Sequence, residues 1–162
     1  MDPAIITNAV PGELFIIRNV ANLIHPFEHS DNGYHGTSAA LEFAVCGLGI
    51  SNIIIFGHSD CGGIQSLFYN QDSIKRSFVS KWMSIAKGTA DLINQQYNTS
   101  NTTQKIELCA QQSLINSFNN LKTFPWIMER VQGGALLLHA WYFHMYNGKI
   151  SVFDRSNGFI NL

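Results

Sequence analysis

The sequence predicts an α/β fold, with a mostly parallel central sheet flanked by helices. Three observations carry this. The runs "FII" at 15–17 and "NIIIFG" at 52–57 are short and continuously apolar, as suits strands buried on both faces. Between them, "TSAALEFAVCGLG" places apolar residues at helical spacing, and strand–helix–strand alternation signals parallel strands. The chain has 162 residues, 46% hydrophobic and 13% charged, enough to bury the core of one globular domain spanning 1–162.

The elements follow in order. Pro11-Gly12 is a turn signal, and "ELFIIRNVAN", 13–22, reads as the first strand. "LIHPFEHSDNGYHG" is punctuated by Gly, Pro and Asn and reads as a loop. In the helix that follows, Ala40, Leu41, Ala44, Val45 and Leu48 share a face. Thr37 or Ser38 is the expected N-cap, and Gly47 or Gly49 the end. After "NIIIFG", "CGGIQSLFYN" opens another helix, and Phe78 to Lys87 and Gln104 to Phe118 read as two more. The connector "NQQYNTSNTTQ" reads as a surface segment. "TFPWIMERVQGG" suits a short helix with Pro125 near its start and Gly133 after its end. The stretch "ALLLHAWYFHMYNGKISVFD" reads as two strands joined at Asn147-Gly148, a strong hairpin signal.

Composition narrows the function. The formal net charge is −1 and no segment carries a basic stripe, which argues against a nucleic-acid surface. No apolar run approaches the roughly 18 residues of a membrane span, and the N-terminal residues lack the pattern of a signal peptide. Cys46, Cys61 and Cys109 are odd in number and widely spaced, which suits a reducing cytoplasm rather than a disulfide framework.

Chemistry concentrates in "NIIIFGHSDCGGI". His58 and Cys61 stand just beyond a buried strand, where open α/β sheets bind ligands. Imidazole and thiolate are preferred zinc ligands. Gly62 and Gly63 admit a close backbone approach and present free amides. The spacing alone also fits a loop histidine and a small buried cysteine.

The wording around this pair resembles the β-class carbonic anhydrases. The similarity runs through "PGELFIIRNVANL", "YHGTSAALEFAVCGLGISNIIIF", "GHSDCGGI", "NLKTFPWIMERVQGGALLLHAWYF" and "NGKISVFD", essentially the whole chain. It implies a zinc lyase, carbonate dehydratase, that hydrates carbon dioxide reversibly to bicarbonate through zinc-bound hydroxide. His58 and Cys61 match two of the family's three protein ligands. Phe15, Val20 and Phe43 match substrate-pocket positions, with Phe43 where plant-type members have a tyrosine; Gly62 matches a backbone donor beside the pocket. Without the family, Phe15 and Phe43 read as core residues. The resemblance also implies a homodimer or higher homo-oligomer, acting on carbon dioxide and bicarbonate in the cytoplasm, with neither nucleic acid nor membrane as partner.

One departure matters. The family's first zinc cysteine and its catalytic aspartate–arginine dyad lie in a C-x-D-S-R motif just before the stretch matching "DPAIIT". The resemblance therefore implies that the 162 residues lack those groups, the N-terminal helices and the first central strand. That strand would lie between those matching Leu14–Arg18 and Asn52–Phe56. An alternative reading follows, a non-catalytic relative that acts as an oligomer partner or binding module. Arg18, at a bicarbonate-binding position of one subgroup, reads better as part of an ion pair at a strand end. Cys46 and Cys109 read as core residues. His25, His29 and His35 fall in the loop, while His139 and His144 are expected to pack or reach solvent.

Overall fold

A computed structural model describes residues 1–29, 33–69 and 77–162. Helix α1, Pro3–Thr7, begins at Asp2, whose carboxylate accepts the amides of Ala4 (2.9 Å) and Ile5 (3.4 Å), with Pro3 at the first helical position. A 3-10 turn, Val20–Asn22, precedes the loop to α2, Gly36–Glu42. Helix α2 widens into a π-helical turn, Phe43–Gly47, closed by Leu48 N–H donating to the Phe43 carbonyl at 2.9 Å. Then come β1 (Asn52–His58), α3 (Gly62–Gln65), α4 (Ser77–Gln96), α5 (Thr102–Leu121), α6 (Pro125–Gln132), β2 (Leu137–Phe143), β3 (Ile150–Asp154) and β4 (Gly158–Asn161).

The sheet order is β1-β2-β3-β4. Strand β1 runs parallel to β2, with Gly57 opposite Tyr142 and His58 opposite Phe143; the β2–β3 and β3–β4 pairs are antiparallel. The sheet is thus mixed, not mostly parallel. The hairpin at Asn147-Gly148 turns β3 back along β2, and a second turn adds β4, which the sequence reading missed. Asp154 holds that second turn, accepting from the amides of Ser156 (2.9 Å) and Asn157 (2.8 Å).

The expected first strand is not one. Leu14–Arg18 is outside regular structure, with Leu14, Phe15 and Ile16 exposed. A strand needs a neighbour to satisfy its ladder, and among the described residues β1 is the terminal strand with one edge open. Among the described residues Arg18 has no carboxylate partner; it donates to the Met1 carbonyl at 3.1 Å.

The core lies between the sheet and α4–α5. Ile53, Ile55, Ala140 and Tyr142 point inward to meet Cys109, Leu114, Phe118 and Leu121 of α5. On the other face, Ile54 is 37% exposed, so β1 is not buried on both sides. The loop after the 3-10 turn is latched to the end of α5. Ile24 N–H donates to Ser117 Oγ (3.1 Å), Asn120 Nδ2 to the Ile24 carbonyl (2.7 Å), and Phe27 N–H to Thr123 Oγ1 (2.7 Å). Helix α6 starts at Pro125 as expected, and its Arg130 donates to the carbonyls of Val45 and Gly49. The chain therefore closes the end of the α2 segment with a cation, as orphan carbonyls require.

Helix starts differ in detail from expectation. His35, not Thr37 or Ser38, precedes α2, and α4 and α5 extend further towards each other than the Asn- and Thr-rich connector implied. The π turn inserts an extra residue per turn, which carries Leu48 out to 53% exposure. Cys46 is exposed too, contrary to its reading as a core residue, whereas Cys109 is fully buried as expected.

Candidate metal centre

His58 ends β1, and the chain beyond it is fixed to β2. Ser59 N–H donates to the Phe143 carbonyl at 2.9 Å, and Ser59 Oγ accepts from Met145 N–H at 2.9 Å. Asp60 then takes a left-handed conformation, φ 57°, which turns the chain so that Cys61 comes back beside His58. Aspartate tolerates that region better than most residues. Cys61 precedes α3 and is buried, and Gly63 is in close packing. A Cβ at Gly63 would lie 3.0 Å from both Ala21 Cβ and Val20 Cγ1.

The electrostatics of the pair are reciprocal. Interaction with the Cys61 sulfur raises the His58 imidazole above its ordinary 6.5, against the opposing effect of burial. Burial alone would raise the Cys61 thiol. The His58 ring, the Ile64 and Gly63 amides and the imidazolium charge outweigh it and lower the thiol below its ordinary 9.0. His58 Nδ1–H donates to the Ser59 carbonyl at 2.7 Å, so its Nε2 is the nitrogen left to face a metal.

These two groups fit zinc in kind, one imidazole nitrogen and one sulfur whose thiol is lowered by its neighbours. They do not complete a site. Among the described residues no group of three His, Cys, Asp or Glu side chains is placed to hold a metal ion. His139 is engaged with Asn52 Oδ1 (3.0 Å), His144 with Ser151 Oγ (2.8 Å), and His25 with Ser38 Oγ (3.0 Å). His35 stacks near His25 at 5.5 Å and His29 near Phe27 at 5.1 Å.

Of the other sequence-predicted residues, Val20 lies against Gly63 of α3, and Phe15 pairs with Phe43. Phe15 and Phe43 rings lie 6.0 Å apart, 45% and 56% exposed, and Val20 is 47% exposed. They form an apolar surface rather than core packing. Gly62 opens α3 with open space at its α-carbon. Sequence reasoning missed Asn22, Ser59 and Asp60. Asn22 packs on Gly57, where a Cβ would meet its Oδ1 at 3.3 Å, while its buried Nδ2 and the buried Asn19 Oδ1 have no hydrogen-bond partner among the described residues. The Asp60 carboxylate raises the Tyr146 phenol above its ordinary 10.0. Only Asp60 and Ser59, inside "GHSDCGG", carried a sequence signal.

Residues 1–150 match the sequence profile of the carbonic anhydrase family. The chain is 36% identical over 143 residues to β carbonic anhydrase 5 of Arabidopsis thaliana, chloroplastic, covering 88% of this chain and 46% of that protein. It is 31% identical over 158 residues to a carbonic anhydrase of Synechococcus elongatus, covering 97% of this chain and 57% of the relative. It thus spans about half the length of these relatives. The structure of the β-carbonic anhydrase CcaA superimposes with a TM-score of 0.90 at 31% identity, over 100% of this chain and 78% of that one. A tetrameric β-carbonic anhydrase of Sordaria macrospora shares the fold, with a TM-score of 0.76 at 22% identity over 93% of this chain and 73% of that one. The chain belongs to the β class of the carbonic anhydrase family.

Proposed function

We propose that this chain carries the zinc-binding and substrate-pocket portion of an enzyme for the reversible hydration of carbon dioxide to bicarbonate. The observation that carries the reading is the His58–Cys61 pair, with Nε2 directed by the Ser59 carbonyl and a thiol lowered by its neighbours. His58 Nε2 and Cys61 Sγ are the two protein donors that would hold zinc. When bound, zinc supplies the Lewis acidity that makes water ionise near neutral pH. The chain's own contribution is positional. Ser59 fixes the imidazole tautomer and orientation, and the Asp60 turn sets the distance between the donors. Phe15, Val20 and Phe43 offer an uncharged apolar wall, which suits carbon dioxide, a substrate with no charge to recognise.

The donor count favours a second reading as well, a carbonic-anhydrase-like chain without turnover that works as an oligomer partner. Two measurements separate them: zinc per chain, and carbon dioxide hydration followed by stopped flow. Both are made on residues 1–162 alone and on the same residues joined to a family N-terminal portion bearing C-x-D-S-R. The enzyme reading requires hydration in the joined protein and its loss with Cys61→Ala. Activity that survives Cys61→Ala overturns the ligand assignment, and a joined protein that holds zinc but shows no hydration favours the second reading.

A further inference from the structure

Helix α3 has four residues, Gly62–Gln65, a single turn that contacts elsewhere must hold in place. Ile64 is buried and anchors it on the core side. Its other support is the turn at Val20–Asn22. A Cβ on Gly63 would lie 3.0 Å from Val20 Cγ1 and from Ala21 Cβ, and 3.5 Å from Met83 Sδ of α4. Gly63 has no positive φ, so the residue is small here for space and not for backbone freedom.

The turn that presses on Gly63 is itself strained. Ala21 (φ 61°) and Asn22 (φ 47°) are consecutive left-handed residues, a conformation that crowds the Cβ of an alanine against its own backbone. Such a conformation persists where its surroundings over-determine it. Two bonds do so here. Asn19 Nδ2 donates across the turn to the Leu23 carbonyl at 2.9 Å, and the Trp82 indole N–H of α4 donates to the Val20 carbonyl at 2.8 Å.

We infer that Trp82 is a positioning residue for the metal pair: through the Val20 carbonyl it holds the strained turn against Gly63, and the turn sets α3 and the Cys61 that precedes it. The inference rests on the reading of His58 and Cys61 as zinc donors. The Gly63 and Ile64 amides both act on the Cys61 sulfur, so a shift of α3 moves the groups that orient this donor. Loss of the indole bond lets Ala21 relax out of the left-handed region, and Val20 moves off α3 with it.

The first test needs no metal. Gln65 N–H donates to the Cys61 carbonyl at 2.9 Å, so its exchange with deuterium reports on the single turn of α3. Trp82→Phe keeps an aromatic ring and removes the donor. In the metal-free chain it should speed exchange at Gln65 several-fold and leave the amides of β2 unchanged. Zinc affinity, by chelator competition, should fall several-fold in Trp82→Phe and further in Gly63→Ala. At saturating cobalt, the thiolate-to-cobalt absorption per bound ion should change in both. Adding Val20→Ala and Ala21→Gly to Gly63→Ala removes both crowded carbons and should restore affinity and absorption. Circular dichroism checks that each variant is folded. Unchanged Gln65 exchange in folded Trp82→Phe overturns the proposal, as does a Gly63→Ala chain that the two added substitutions fail to restore. Zinc affinity unchanged in Cys61→Ala is a different failure. It removes the metal reading, while exchange at Gln65 still decides whether Trp82 positions α3.

Discussion

The donor count sets how tightly residues 1–162 can hold zinc. A complete four-ligand protein site is worth about 10–16 kcal/mol at neutral pH. With two protein donors among the described residues, His58 and Cys61, about half of that remains, roughly 5–8 kcal/mol. This corresponds to a dissociation constant between about 0.2 mM and 1 μM. Removing one donor by His58→Ala or Cys61→Ala should weaken binding by a further hundredfold or so. Competition against a chromogenic chelator of known affinity, at pH 7, measures all three proteins on one scale. A nanomolar constant for the unaltered chain would mean that a third donor is present. An unchanged constant in Cys61→Ala would remove the pair from the metal altogether.

Three other outcomes follow from buried groups. Tyr142 is fully buried and its hydroxyl has no partner among the described residues, so Tyr142→Phe should raise stability by about 1 kcal/mol, or about 2–4 °C in Tm; a lower urea midpoint would show that the hydroxyl is bonded. Cys46 is exposed while Cys61 and Cys109 are buried, so a disulfide reagent should modify one thiol per native chain rapidly and the others only on unfolding; rapid modification of Cys109 would refute the packing. Burial pushes the Cys109 thiol from its ordinary 9.0 up to about 11. A raised pKa means that the folded state holds the proton more tightly, so its share of stability is intact below pH 9. About 2–3 kcal/mol is then lost as pH rises from 9 to 11. Cys109→Ala should flatten that part of the urea-midpoint profile, and an identical slope in the variant would place its origin elsewhere.

Much of this arrangement was legible where the signal is local. The Asn147-Gly148 hairpin, the Pro125 helix start and the buried face of Leu41, Ala44 and Val45 all depend on neighbours within one turn of chain. The failures are of two kinds. Leu14–Arg18 has the composition of a buried strand, but a strand is completed by a neighbour distant in sequence, and its residues cannot report whether that neighbour is present. Leu48 was misjudged because an α-helical period was assumed through a π turn. Cys46 stands roughly 140° around the helix from Leu41, so a strict wheel already placed it outward. His58 and Cys61 were readable as donors because a sharp turn joins them in four residues; the Asn22 contact with Gly57 spans the loop and left no trace.

The three bonds between Ile24, Phe27 and the end of α5 bear on how this fold comes apart. Residues 23–27 have no regular structure, yet the Ile24 and Phe27 amides should exchange with deuterium as slowly as those of the helix that holds them, because Ser117 and Thr123 accept from them. Loop and helix then form one cooperative unit, and the segment bearing Val20 is tied to α4 through the Trp82 indole, which donates to the Val20 carbonyl at 2.8 Å. Slow exchange at Ile24 and Phe27 beside fast exchange along Leu14–Ile17 would draw a sharp boundary within one stretch of irregular chain.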